Sequence, residues 1–327
     1  MSAFAFQSSR VPLHSAFYPP ILPSVPPLAP LLAPPNLLLC YIHGLDSSST
    51  TWGPFLSVDA ESAESTPFHR SFPSYAVDLR GHGQSPLADP SQFTPDAVVE
   101  DLTGFLSDVV SRPPFDPTSA IPPKVVVVGH SMGGRVAMLL AAKLAGALGS
   151  SLPFELSKVV IEDMDVKVRN KPPFAVTWEP PGGDFDRAFT SCDDCVSALI
   201  KSGYDEKRVK DWVVDGRIRN TQEEKWWSDV NPQTRALCYE RILGSECGAD
   251  AMEAIRAEEW QENVTLVVAG GTGPRGTVCD KESLEKMKRR LRGCDYFTVE
   301  NAGHSIHKTH KDAFSSIIDG ICRQVAE

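Results

Sequence analysis

The stretch Val125-Val-Val-Val-Gly129-His130-Ser131-Met132-Gly133-Gly134 places a G-x-S-x-G motif between two regular elements. Four consecutive valines predict a strand that is covered on both faces. After the motif, apolar side chains recur at helical spacing, at Val136, Leu139, Leu140 and Leu144. The serine is therefore expected on a sharp strand-to-helix turn, where it adopts a strained backbone conformation and exposes its hydroxyl.

This turn indicates a nucleophilic serine, Ser131. The small residues Gly129 and Gly133 let the strand and the helix pass closely. The helix N-terminus behind the serine stabilises developing negative charge. A bare G-x-S-x-G is weak, because a glycine-rich turn without chemistry has the same letters. The strand before it and the helix after it make the motif specific.

Apolar runs and amphipathic segments alternate on both sides of this turn, which predicts a mostly parallel sheet flanked by helices. The predicted strands are Leu37–Ile42, Tyr75–Leu79, Val125–Val128, Val159–Ile161, Thr265–Ala269 and Tyr296–Val299. The clearest predicted helices cover 98–109, 136–144 and 314–325.

Residues 164–263 interrupt this rhythm. They are charged and aromatic, and they contain five of the six tryptophans of the chain. We predict an inserted helical cap here, with residues 1–163 and 264–327 forming the α/β core. At the N-terminus, Ala3–Gln7 and Pro12–Tyr18 suggest a hairpin, and 19–36 suggest a Pro-rich surface loop.

Composition limits the partners of the chain. The 327 residues carry a formal net charge of −10, which disfavours nucleic acid because phosphate binding needs a basic face. No apolar run is long enough to predict a membrane-spanning helix. Eight scattered cysteines, including the single C-x-x-C of Cys192 and Cys195, resemble neither a disulfide framework nor a zinc site. These patterns favour a cytoplasmic protein without a metal or cofactor, with mitochondrial or plastid import as an alternative because no acidic residue precedes Asp46.

Several motifs together resemble the α/β-hydrolase superfamily. Besides the serine turn, His43-Gly44-Leu45-Asp46 is similar to its HG oxyanion turn, and Asp78–Ser85 to its D-x-R-G-x-G-x-S loop. Asn301-Ala302-Gly303-His304 resembles the late loop that carries the catalytic histidine. The resemblance covers about residues 37–163 and 264–327 in order. It implies an α/β-hydrolase fold, mostly parallel and flanked by helices, with the cap inserted.

The superfamily places its base after the last strand, which here gives His304. His307 and His310 are close rivals at the start of the last helix. The histidines of the motif turns, among them His43 and His130, are expected to be structural.

The catalytic acid is harder to assign. Most superfamily members carry it after the strand that follows the cap, but here no carboxylate occurs before Asp280, which resembles a helix N-cap. A subset of single-domain esterases keeps the acid after strand six, where this chain has Asp163. The order Ser131, Asp163, His304 then fits Ser–Asp–His. Glu162 and Asp165 remain alternatives for the acid. If none of these carboxylates is catalytic, we expect the cluster to be a solvated acidic turn.

The resemblance implies a serine hydrolase that cleaves carboxylic esters or thioesters, with oxyanion donors at the backbone N–H groups of Leu45 and Met132. The tryptophans of the predicted cap suggest a small-molecule substrate with an apolar acyl group. Alternatives are an acyltransferase, a C–C hydrolase, a lyase, or a weakly catalytic receptor. Residues expected to support the motif turns are His43, Gly44, Gly129 and Gly133, and those expected in the pocket are Trp178, Trp212 and Trp226.

Overall fold

The computed structural model describes residues 10–21, 36–57, 66–145, 152–169, 187–221, 224–271 and 277–327. The segment Ala3–Gln7, most of the Pro-rich stretch and Trp178 lie outside the described residues.

A seven-stranded sheet forms the centre of the molecule. The strands within the described residues are β1 (Ser15–Tyr18), β2 (Leu37–Ile42), β3 (Ser74–Val77), β4 (Lys124–His130), β5 (Glu155–Glu162), β6 (Ala188–Phe189), β7 (Ile218–Asn220), β8 (Trp226–Ser228), β9 (Val264–Ala269) and β10 (Asp295–Val299). The order in the central sheet is β1-β3-β2-β4-β5-β9-β10. Its neighbours pair in parallel, except for β1, which is antiparallel to β3.

Both faces of the sheet are covered, because neighbouring side chains of a strand point to opposite faces. In β2, Leu38, Cys40 and Ile42 join one apolar cluster, and the alternate residues join another. The helices within the described residues are α1 (Gly53–Leu56), α2 (Pro95–Val110), α3 (Met132–Ala145), α4 (Cys192–Lys201), α5 (Glu206–Val214), α6 (Pro232–Cys238), α7 (Cys247–Ala257), α8 (Lys281–Arg290), α9 (Ile306–Thr309) and α10 (Lys311–Ala326). The first cluster contains side chains of α2, α3, α7 and α8, and the second those of α1 and α10.

The predicted α/β architecture is therefore confirmed, and each predicted core strand overlaps a strand of the sheet. The predicted N-terminal hairpin stays a prediction, because its first strand, Ala3–Gln7, lies outside the described residues. Strand β1 pairs with β3, from Ser15 opposite Val77 to Tyr18 opposite Ser74. A local sequence pattern cannot show this pairing, because the two strands are separated by more than fifty residues of chain.

The segment 164–263 contains more than helices. Strands β6, β8 and β7 form a small antiparallel sheet that packs with α4 and α5 around Cys195, Leu199, Tyr204 and Trp212. These strands are two or three residues long, too short to show the period of two that predicts a strand. In the part of the chain that is described, no helix has the length and apolar character that crossing a bilayer requires.

A buried arginine ties this segment to the core. Arg135 in α3 is fully buried, and its guanidinium donates to the backbone carbonyls of Asp165, Lys167 and Ile242. Burial lowers the pKa of Arg135 to about 10. It therefore remains a cation at neutral pH, held by carbonyl oxygens from the start of the inserted segment and from its second half.

Candidate active site

Ser131 lies at the junction of β4 and α3, half-buried, in the left-handed region with φ of 53°. A non-glycine residue there is strained, and such strain clusters at functional turns. The two flanking glycines allow the turn. A Cβ on Gly129 would lie 2.2 Å from the Gly133 carbonyl oxygen, and one on Gly133 would lie 2.5 Å from that of Ile42.

The turn that follows β2 lies directly against the serine. A Cβ on Gly44 would lie 3.1 Å from the Cβ of Ser131. Among the described residues, no hydrogen bond uses the N–H of the next residue, Leu45. Met132 is the first residue of α3, so its N–H has no acceptor within the helix. Both predicted oxyanion donors thus belong to turns that adjoin Ser131.

His304 is bound to Asp163, with 2.6 Å between Nδ1 of the imidazole and Oδ2 of the carboxylate. Asp163 directly follows β5 and also has a positive φ, 45°. Ser131 Oγ forms no hydrogen bond with His304 within the described residues. That contact is often long in unliganded enzymes and tightens when the substrate is bound.

The carboxylate of Asp163 is fully buried and richly bonded. It accepts hydrogen bonds from Thr277 Oγ1 at 2.7 Å and from the Val278 N–H at 2.9 Å. Burial raises the pKa of Asp163, but the bonds from His304, Val278 and Thr277 outweigh it, so the net shift is downward. Asp163 is therefore an anion that faces the imidazole at neutral pH.

The other candidate acids have different partners. Asp280 caps α8 through the Ser283 N–H and binds Lys167 Nζ at 2.7 Å, and these contacts lower its pKa to about 2. Asp165 binds Arg169 at 2.6 Å and accepts from the Ser283 hydroxyl. Glu162 binds His307 instead of His304.

The structure places the motif histidines in supporting positions. His43 contacts the Gly44 carbonyl oxygen through Nδ1, and its Nε2 accepts from the Leu79 N–H. Burial lowers its pKa, so the ring is neutral. His310 lies at the end of α9, where its Nδ1 contacts the Thr309 hydroxyl.

Comparison with known proteins identifies the family of the chain. The sequence model of the alpha/beta hydrolase family matches residues 37–317. The chain belongs to this family. It is 23% identical to a proline iminopeptidase of Pestalotiopsis fici over 260 residues, 76% of this chain and 80% of that protein. It is 21% identical to an sn-1-specific diacylglycerol lipase of Mus musculus, over 86% of this chain and 79% of the lipase.

Among solved structures, a marine microorganism esterase superposes with a TM-score of 0.57 and 16% identity, covering 94% of this chain and 98% of the esterase. Such a low identity shows the shared fold alone. The predicted resemblance to the α/β-hydrolases is thereby confirmed.

In this family member, segment 164–263 binds the turn that carries Leu45. Asp46 has a positive φ of 54° and is almost fully buried. Its carboxylate contacts the Tyr204 hydroxyl and the guanidinium groups of Arg208 and Arg235, and its carbonyl oxygen accepts from Arg217. Tyr204, Arg208 and Arg235 also line a cavity of about 360 Å³, together with Gly203 and Asp205.

The predicted pocket tryptophans have mixed positions. Trp212 is buried inside the small cluster of the segment, where Tyr204 packs edge-on against it and Arg208 lies over its ring. Trp226 is half-buried in β8 and packs against the same cluster. Trp178 lies outside the described residues. Burial raises the pKa of Cys195 to about 12, so the thiol of this C-x-x-C residue is protonated. All eight cysteines are free thiols.

Two sets of residues at the site were not predicted from the sequence. Thr277 and Val278 supply donors to Asp163 from the loop where other superfamily members carry an acid. Nothing in their residue types marks them for this role. His130, Glu162 and His307 form the one group of potential metal ligands in the described part of the chain. Hydrogen bonds engage both oxygens of Glu162 with the N–H and Nδ1 of His307, whereas His307 Nε2 is buried without a hydrogen-bond partner among the described residues.

Proposed function

We propose that this protein is a serine hydrolase that cleaves carboxylic esters or thioesters through an acyl-enzyme on Ser131. The observation that carries the proposal is the 2.6 Å contact between His304 Nδ1 and Asp163, beside a serine in the left-handed conformation. A carboxylate on Nδ1 leaves Nε2 free to accept a proton, which a general base requires.

In the proposed reaction, Ser131 Oγ bonds to the carbonyl carbon while His304 Nε2 takes the hydroxyl proton. His304 then gives that proton to the departing alkoxide or thiolate as the ester or thioester bond breaks. Water releases the acid by the same steps, and the proton returns to Ser131. Asp163 holds the imidazole in the required tautomer and stabilises its charged form. The N–H groups of Leu45 and Met132 stabilise the oxyanion, each contributing about 3–4 kcal/mol in the transition state.

The relatives support hydrolysis as the class of reaction, but they do not agree on a substrate. The names of the sequence relatives describe a lipase and an iminopeptidase, which share acyl transfer to water and differ in leaving group. We propose that segment 164–263 covers the site and selects an apolar acyl group, on the basis of its tryptophans. An apolar pocket disfavours a substrate with unpaired charge.

A fluorophosphonate probe tests the nucleophile. We expect the folded protein to be labelled at Ser131, and both Ser131→Ala and the heat-unfolded chain to remain unlabelled. A chain-length series of nitrophenyl esters then measures turnover, which Ser131→Ala should lower by about 10⁴-fold or more. Retention of most of the activity in Ser131→Ala would refute the proposal. Fastest turnover of anionic esters would refute the apolar acyl preference alone.

A further inference from the structure

A second set of polar side chains lies behind the proposed triad and consists of its neighbours in the sequence. His130 precedes Ser131, Glu162 precedes Asp163, and His307 follows His304 by three residues. Two consecutive carboxylates thus bind two histidines of one turn: Asp163 binds His304, and Glu162 binds His307.

The pair of Glu162 and His307 is closed to solvent, since both side chains are 0% exposed. The backbone N–H of His307 donates to Glu162 Oε1 at 2.9 Å, and Nδ1 lies 2.9 Å and 2.8 Å from the two carboxylate oxygens. One carboxylate therefore fixes both the backbone and the ring of His307. The indole of Trp52 packs on the other side, with its ring centroid 4.2 Å from that of the imidazole.

His130 adds a third restraint. Burial lowers its pKa to about 3, so the ring is neutral. Its Nε2 lies 3.0 Å from the His304 carbonyl oxygen, and this nitrogen must carry the proton because a carbonyl only accepts. The residue before the proposed nucleophile thereby holds the backbone of the proposed base.

These contacts hold the chain on the C-terminal side of His304, and the residues of the other side precede it in the sequence. On the other side, Ala302 is anchored by the Gly271 N–H, and a Cβ on Gly303 would meet nothing within 4 Å. Besides the contacts of His307 and His130, the turn after His304 is held by Ile306, which is fully buried in the second apolar cluster, and by the bond between the His304 ring and Asp163. A displacement of about 1 Å at a catalytic group can cost about 10²-fold in rate.

We infer that Glu162 and His307 are positioning residues, which hold the imidazole of His304 between Ser131 and Asp163. This inference rests on the proposed function for its kinetic consequence, but its geometric content does not. The carboxylate of Glu162 acts through His307 and the backbone of the turn, and it does not touch the substrate.

The experiment compares Glu162→Gln, His307→Leu and His307→Asn in the full chain. Asparagine places an amide nitrogen near the position of Nδ1, so it can still donate to Glu162, whereas leucine cannot. We expect Glu162→Gln and His307→Leu to lower kcat by about 10²-fold with little change in KM, and His307→Asn to recover at least about tenfold over leucine.

A matched control exists elsewhere in the molecule. His69 also addresses one carboxylate with its backbone N–H and its Nδ1, at 2.8 Å and 2.6 Å from Asp319 Oδ1. Its ring stacks on Phe55, and the ring of His307 also packs on an aromatic ring, Trp52, in a tilted arrangement. Asp319→Asn and His69→Leu should lower stability while kcat stays within about threefold of the parent.

The second measurement does not depend on activity. The proton between His304 Nδ1 and Asp163 should give a low-field proton NMR signal, assigned by its loss in His304→Gln. We expect this signal to broaden or disappear in Glu162→Gln and His307→Leu and to persist in both control variants. If His307→Leu does not fold, Glu162→Gln and His307→Asn decide the question.

The inference is overturned if the signal is unchanged in Glu162→Gln, or if kcat falls no further than in the control variants of equal stability loss. A parent protein that neither labels at Ser131 nor hydrolyses esters would instead refute the proposed function. Loss of the signal in Glu162→Gln would still support the positioning role in that case.

Discussion

At the scale of single residues, carboxylates that are close in the sequence bind different partners. Glu162, Asp163 and Asp165 lie within four residues, yet they bind a buried imidazole, the candidate base and an arginine respectively. Asp163 is the one of these three carboxylates that contacts His304, so its loss should change the tautomer of that ring.

This contact leads to a prediction about the acid. Asp163→Asn should lower kcat/KM by up to about 10⁴-fold, because an amide can favour the wrong imidazole tautomer. Asp280→Asn should leave kcat/KM nearly unchanged, since asparagine also caps helices well. The measurement is kcat/KM for both variants on one nitrophenyl ester at the same pH. A collapse in Asp280→Asn with Asp163→Asn near the parent would reverse the assignment.

The sequence predicted Ser131, Asp163 and His304 from motif position and chain order, and their roles await these variants. It also predicted that Asp280 would cap α8, which the Ser283 N–H confirms. Sequence reasoning could not find Thr277 and Val278 as partners of Asp163. They lie more than a hundred residues from it, and a threonine hydroxyl and a backbone N–H carry no signature of their partner.

At the scale of elements, the close passage of β4, α3 and β2 fixes the position of the serine turn. The apolar runs predicted β2 and β4, because a parallel strand that is buried on both faces consists of consecutive hydrophobic residues. The same reasoning missed β6, β7 and β8, whose few residues pair through the backbone and show no pattern of side chains.

Two glycine variants measure how tightly α3 is packed. Gly133→Ala should destabilise the protein by about 1–3 kcal/mol, because its Cβ would meet backbone oxygens that cannot move aside freely. Gly320→Ala, in α10, should stabilise it by about 0.5–1 kcal/mol, since a Cβ there meets nothing within 4 Å and alanine favours helix. Urea unfolding of the two variants provides the test. If both variants changed the free energy of unfolding equally and with the same sign, the tight packing of α3 at the β4–α3 junction would be refuted.

At the scale of the whole molecule, buried neutral histidines connect folding to pH. Burial lowers the pKa of His82 and of His130 to about 3, whereas an unfolded histidine titrates near its ordinary value of 6.5. Below the ordinary value the unfolded chain binds more protons than the folded one. The free energy of unfolding should therefore fall as the pH falls from there toward the folded pKa.

The expected slope is about 1.4 kcal/mol per pH unit for each of these histidines. His82→Asn should remove one such contribution, because an asparagine amide can still donate to the Arg80 carbonyl oxygen that His82 Nδ1 contacts. Urea unfolding at several values between about pH 6 and pH 4 measures the slope. A slope that is unchanged in His82→Asn would show that His82 takes up its proton in the folded state.

The hydrogen bonds and ion pairs of Asp46 limit how segment 164–263 can be exchanged between related proteins. Segment 164–263 supplies the phenol that donates to this buried carboxylate and the two guanidinium groups, of Arg208 and Arg235, that neutralise it. The carboxylate adjoins the proposed oxyanion donor Leu45. A chimaera that received only a foreign segment would leave a charge without counterions under the transplanted surface. Segment 164–263 and Asp46 therefore have to be transferred together if a chimaera is to keep this carboxylate paired.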